Sequence, residues 1–109
     1  MGKDALGELE VMVLLAVLRR PDDAYAVTVR REISDRAGRD VSRGSVYVTL
    51  DRLEKKGLLV SRVGEPEPVR GGKAKKFYAP TDEGRATLTR SLVALREMSS
   101  GLGLADEVG

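Results

Sequence analysis

A chain of 109 residues has room for one modest domain and on folding buries only about two-thirds of its surface, so a partner subunit would add usefully to its core. The sequence contains no Cys and no His, which excludes disulfides, thiolate and imidazole metal sites, and imidazole acid–base chemistry. Its 17 carboxylates have neither metal-ligand spacing nor a Gly-rich frame, so no metal, cofactor or catalytic function is expected.

The net charge of +2 is small, but it is unevenly placed. From Ser42 to Ala79 there are 9 Lys/Arg against 4 Asp/Glu, while the remainder of the chain has an excess of acid. Such segregation is the footprint of one surface that meets a polyanion. The N-terminus has no signal-peptide pattern, and the longest apolar run, Val11 to Leu18, is far short of a membrane span. A cytoplasmic protein without a membrane partner is expected.

The first helix is expected over Leu6 to Leu18. Its apolar residues leave almost no polar side, so it is either central in the domain or uses a second face on another subunit, the latter favoured in so small a domain. Pro21 stops it, and Asp22 and Asp23 offer N-caps for a second helix from Ala24 to Ala37. There Tyr25, Ala26, Val29, Ile33 and Ala37 form the core-facing stripe, and Gly38 closes the helix.

The stretch Val41 to Leu59 is the best punctuated in the chain. Ser42 is a favoured N-cap, Val41 can staple onto Val46, and Gly57 after Lys55 and Lys56 is a C-terminal stop. Val46, Leu50 and Leu53 form its apolar stripe; Gly44, Val48, Asp51 and Lys55, flanked by Ser45, Tyr47 and Arg52, form the opposite face. Only Arg39, Asp40 and Val41 separate it from the second helix, the spacing of a helix-turn-helix.

Behind it, Leu58 to Val63 and Ala74 to Ala79 are extended patterns around a turn region with Gly64, Pro66, Pro68, Gly71 and Gly72. This is a hairpin, or wing, and Arg70, Lys73, Lys75 and Lys76 on it would be placed to straddle phosphates. Of Phe77 and Tyr78, one should pack on the core and the other face outward, since neighbours on a strand alternate. The last helix starts at the N-cap Thr81 and carries Leu88, Leu92, Leu95, Met98 and Leu102 as a coiled-coil-like seam. That seam either folds back on its own core or, as the unmatched face of the first helix favours, forms a dimer with it.

The segments GSVYVTLDRLEKKGLL and KKFYAPTDEG resemble the PadR family of bacterial winged-helix regulators, in its short subfamily with a single C-terminal helix. The resemblance runs from Leu6 to about Leu102, with direct matches at Gly44, Tyr47, Leu50, Leu53, Glu54, Gly57, Tyr78, Thr81 and Gly84; Pro80 stands where an aliphatic residue is usual. It implies a homodimeric DNA-binding repressor whose third helix enters the major groove, with the tyrosine matching Tyr47 and the basic wing on the backbone. It also implies that the fourth and first helices form the dimer.

The expected architecture is therefore mainly α with a small β-hairpin: a winged helix-turn-helix domain over residues 6–80, a dimerisation helix over 81–102 and a disordered tail over 103–109. The expected DNA-binding residues are Arg43, Gly44, Ser45, Tyr47, Val48, Arg52, Lys55, Arg70, Lys73, Lys75 and Lys76. Gly44 and Ser45 allow close backbone approach, the cations hold phosphates or a guanine edge, and Asp51 either meets a cytosine amino group or orders Lys55. The expected dimer residues are Leu9, Met12, Val13, Leu88, Leu92, Leu95 and Met98. Double-stranded DNA and a second copy are the expected partners. All four aromatics lie at Tyr25, Tyr47, Phe77 and Tyr78, so an aromatic-stacking drug pocket between subunits is not expected; a small apolar effector, or none, stays open. The rival reading is a winged helix that binds protein rather than DNA.

Overall fold

The computed structural model describes residues 5–65 and 74–104. Its elements run α1 (Glu8–Arg19), α2 (Ala26–Glu32) with a wide π turn (Ile33–Ala37), α3 (Arg43–Lys55), β1 (Leu59–Val63), β2 (Lys76–Pro80) and α4 (Asp82–Ser99).

The α1 helix is central. It buries Val13, Leu14, Ala16 and Val17 and packs against α2, α3, β2 and α4, while Leu9, Val11, Met12 and Leu15 stay only partly covered. After Pro21 the chain reverses through Asp22, whose φ of 67° is left-handed. The expected Asp22–Asp23 cap is not used. Tyr25 takes the N-cap position of α2, and Thr28 serves it from inside the helix: its hydroxyl accepts from the Tyr25 N–H at 3.0 Å and donates to the Asp23 carbonyl at 2.6 Å. The second helix is also not uniform. Its last turn widens to π geometry, which adds residues to the turn and rotates Ala37, expected on the core stripe, out to solvent.

Both ends of α3 follow the sequence. The Ser42 hydroxyl accepts from the Ser45 N–H at 3.1 Å, and Val41 packs against the core behind it. At the other end the Leu58 N–H donates to Leu53 O and the Gly57 N–H to Glu54 O, both at 2.9 Å, the paired bonds of a Schellman closure. Gly57 sits at φ 79°, where a side chain would be strained. Val46, Thr49, Leu50 and Leu53 are buried beneath the helix. At about 1.5–3 kcal/mol per fully buried aliphatic side chain, that face holds α3 to the domain.

The antiparallel wing pairs Leu59 with Pro80 and Val63 with Lys76. Tyr78 is the inward aromatic and Phe77 the outward one. The Tyr78 N–H donates to Ala24 O at 2.8 Å, which fastens β2 to the start of α2. Pro80 ends the strand without a ladder defect, since the next donor, the Thr81 N–H, reaches Leu58 O at 3.1 Å. Residues 66–73, which include Arg70 and Lys73, and residues 105–109 of the expected tail lie outside the described residues.

The α4 helix divides into two halves. Thr81 caps it, accepting from the Gly84 N–H at 2.9 Å and donating to Gly57 O at 2.8 Å, so one hydroxyl joins the start of α4 to the end of α3. Gly84 passes so close to the Leu58 carbonyl that a Cβ there would run into its oxygen. Thr87 and Leu88 are buried; beyond them Leu92, Val93, Leu95 and Met98 are exposed. Two expected dimer residues therefore need correction. Val13 and Leu88 are 0% and 3% exposed and belong to the core of the single chain, because one apolar stripe serves α4 twice, first against its own domain and then outward. The helix ends at Ser99, so Leu102 lies in the exposed turns that follow rather than on the seam.

Candidate nucleic-acid interface

The outer face of α3 is set by its inner one. With Val46, Leu50 and Leu53 turned down, Arg43, Gly44, Ser45, Tyr47, Val48, Asp51, Arg52 and Lys55 are all exposed, Tyr47 at 54% and Val48 at 55%. Tyr47 and Val48 thus stand half in water on the same face as Arg43, Arg52 and Lys55. Ser45 has its Oγ on Ser42 at 2.9 Å and its carbonyl on the Thr49 hydroxyl at 2.7 Å, which stiffens the first turn. Lys55 pairs with Asp51 at 3.1 Å, so the acid orders a lysine on its own face. Arg43 and Arg52 form no ion pair among the described residues.

The wing root stands beside this face. Tyr25, Val27, Tyr47, Lys75 and Lys76 line a cleft of about 350 Å³ between α2, α3 and β2. Lys75 lies over the Tyr25 ring at 4.8 Å, and Tyr25 in turn meets Phe77 edge-on at 5.5 Å and 72°. Lys76 is already engaged: its Nζ reaches Glu54 Oε1 at 3.2 Å and lies 5.6 Å from the Tyr78 ring centre. Glu54 also accepts from the Ser61 hydroxyl at 2.6 Å. That hydrogen bond first, and Lys76 with it, outweigh partial burial and hold the Glu54 carboxyl below its ordinary value, while Glu54 holds the Lys76 ammonium above its own. Burial raises the Tyr78 phenol.

Thus Arg43, Gly44, Ser45, Tyr47, Val48, Arg52 and Lys55 share one surface, with Lys75 and Lys76 next to it. Two residues escape sequence reasoning. Tyr25 looks like an ordinary core position of α2 but is the post against which the wing leans. Arg62, counted only as part of the basic tract, lies over Phe77 at 4.6 Å on the outer side of the hairpin. Neither role has a local signal, since each depends on a strand distant in sequence.

A helical body, an exposed cation-bearing helix and a two-stranded wing beside it define a winged-helix DNA-binding domain. The chain belongs to the Transcriptional regulator PadR-like family, whose sequence profile matches residues 14–90. It is 40% identical over 78 residues to Transcriptional regulator Rv3488 of Mycobacterium tuberculosis, covering 72% of this chain and 68% of that protein. Its fold is similar to a PadR family transcriptional regulator from Eggerthella lenta, with a TM-score of 0.69 at 27% identity over 94% of this chain and 88% of that one. It is likewise similar to a PadR family transcription regulator from Clostridium difficile, with a TM-score of 0.71 at 20% identity over 94% and 98%. The protein is a DNA-binding transcriptional regulator and not an enzyme. Among the described residues no helix is long and apolar enough to cross a membrane.

Proposed function

We propose that the protein is a homodimeric repressor that occupies a palindromic operator, with α3 of each copy in the major groove. The observation that carries this reading is the outer face of α3, bare from Arg43 to Lys55 over a fully buried inner face. Arg43, Tyr47, Arg52 and Lys55 are the phosphate or base-edge contacts on that helix, and Gly44 and Ser45 let its first turn approach closely. Val48 is suited to a thymine methyl. From the wing, Lys75 and Lys76 approach the flanking backbone, joined by Arg70 and Lys73.

Self-association uses Leu92, Leu95 and Met98 of α4 with Leu9 and Met12 of α1. Of these, Met12 and Leu95 line a mainly apolar groove of about 620 Å³ together with Leu6, Val11, Leu15 and Ala94. A second copy covers it, and an effector entering there would find mainly apolar contacts, with Glu8 and Ser91 as the polar groups of the lining. Such a dimer sets two recognition helices about one DNA turn, roughly 34 Å, apart and acts by occupying the site, in the cytoplasm at the nucleoid. Selection of bound fragments from random duplex DNA tests the proposal. A palindrome with half-sites one turn apart, bound with affinity that falls steeply as salt rises, is expected. No enrichment would remove the operator reading and leave a protein-binding winged helix.

A further inference from the structure

Two carboxylates in the first turn of α1 grip α3 from both ends. Glu8 accepts from both terminal nitrogens of Arg39, at 3.1 and 2.9 Å, and Arg39 stands in the turn just ahead of the Ser42 cap. Glu10 accepts from Nζ of Lys56, the C-cap residue of α3, at 2.7 Å, and with its other oxygen from the Gly7 N–H at 2.9 Å. The turn ahead of α3 has a further hold from α2, where Arg30 Nε donates to the Val41 carbonyl at 2.7 Å. None of the outer-face residues from Arg43 to Lys55 takes part in these contacts.

We propose that Glu8 and Glu10 are positioning residues for DNA reading: a carboxylate clamp on α1 that sets where α3 stands and hence how its outer face meets the base edges. The inference rests on the reading of α3 as the recognition helix. Apolar contact through Val46, Leu50 and Leu53 holds the helix down but is itself non-directional. A two-pronged guanidinium–carboxylate pair ahead of the helix, and behind it an ammonium–carboxylate bond whose carboxylate is buried, are directional. Together they hold the helix at both ends. Glu8 also lines the groove between α1 and α4, so a second copy seated there would press on one arm of the clamp.

Charge alone predicts the opposite of what the clamp predicts. Removing a carboxylate from a protein that faces a polyanion should tighten binding to every duplex. The clamp requires E8Q and E10Q to weaken binding to the selected operator by about tenfold, the loss of roughly one base-edge contact, while affinity for a scrambled duplex stays level or rises. The experiment titrates both duplexes with full-length wild type, E8Q, E10Q, R39E and the E8R/R39E pair, with thermal melting of each. A fall in the ratio of operator to scrambled affinity in E8Q and E10Q, and its partial recovery in E8R/R39E relative to R39E, are the expected results. Glu8 and Arg39 are an exposed pair, so E8Q should fold and decides the matter even if E10Q does not. An unchanged ratio, or both affinities rising together, overturns the clamp and leaves the operator reading intact; a wild type that selects no sequence overturns both.

Discussion

Helices α3 and α4 are built on the same plan and end with opposite surfaces. Each starts from a hydroxyl that accepts from a backbone N–H three residues on, Ser42 from Ser45 and Thr81 from Gly84, and each buries part of one stripe. What α3 leaves bare is a mixed face with Arg43, Tyr47, Arg52 and Lys55, whereas α4 leaves bare Leu92, Val93, Leu95 and Met98. Burial alone does not separate the two, since both helices are half exposed. The chemistry of the exposed half does: cations with small residues and a tyrosine suit a phosphate backbone, and exposed leucine, valine and methionine side chains suit another apolar stripe.

The largest expected effect breaks the inner face of α3. Leu50→Ala removes a side chain with no solvent exposure and should lower stability by about 2–5 kcal/mol in chemical denaturation. Val48→Ala, two residues away and 55% exposed, should change it by less than about 0.5 kcal/mol. Equal effects would erase the distinction between the two faces.

On α4, Leu95→Asp places a charge on the exposed half of the seam, 61% exposed in the single chain. It should weaken self-association by about 100-fold, roughly 3 kcal/mol, in sedimentation at graded concentrations, with the thermal midpoint of the monomer unchanged. Gly84→Ala acts where the start of α4 meets the end of α3. Its methyl has only the Leu58 carbonyl to enter, so about 1–3 kcal/mol of stability should be lost.

A smaller effect concerns pH. Burial alone would raise the Glu10 carboxyl, but the Lys56 hydrogen bond, the Gly7 N–H and the nearby Lys56 and Arg52 charges outweigh it and hold Glu10 below the ordinary 4.5. A depressed carboxyl stabilises the fold above its unfolded value, and that contribution disappears as pH falls through the folded value. Glu10→Gln should therefore be about 1–2 kcal/mol less stable at neutral pH, and the gap to wild type should close as pH falls below 4.5 in acid titrations followed by circular dichroism.

Local signals accounted for most of what the chain displays. The Ser42 cap, the Gly57 stop, the Thr81 cap and the alternation that turns one of Phe77 and Tyr78 inward and the other outward all lie within a few residues of their consequences, so propensity and spacing suffice for them; which of the two aromatics points inward does not follow from spacing. Periodicity identifies an apolar stripe but not what covers it, and for this reason Val13 and Leu88 looked like dimer residues when they are core. The π turn after Glu32, the Thr28 cap of α2, the leaning of Lys75 and Phe77 on Tyr25 and the pairing of Lys76 with Glu54 have no local signature. They follow from where the wing comes to rest.

The claim that the bare face of α3 reads DNA is tested most directly by titrating the selected operator with wild type, Tyr47→Ala and Arg52→Ala at several salt concentrations. Both side chains are exposed, so thermal stability should stay level. Affinity should fall by about five- to tenfold in each variant, with a shallower salt dependence for Arg52→Ala. Unchanged affinity and salt dependence in both variants would contradict the account.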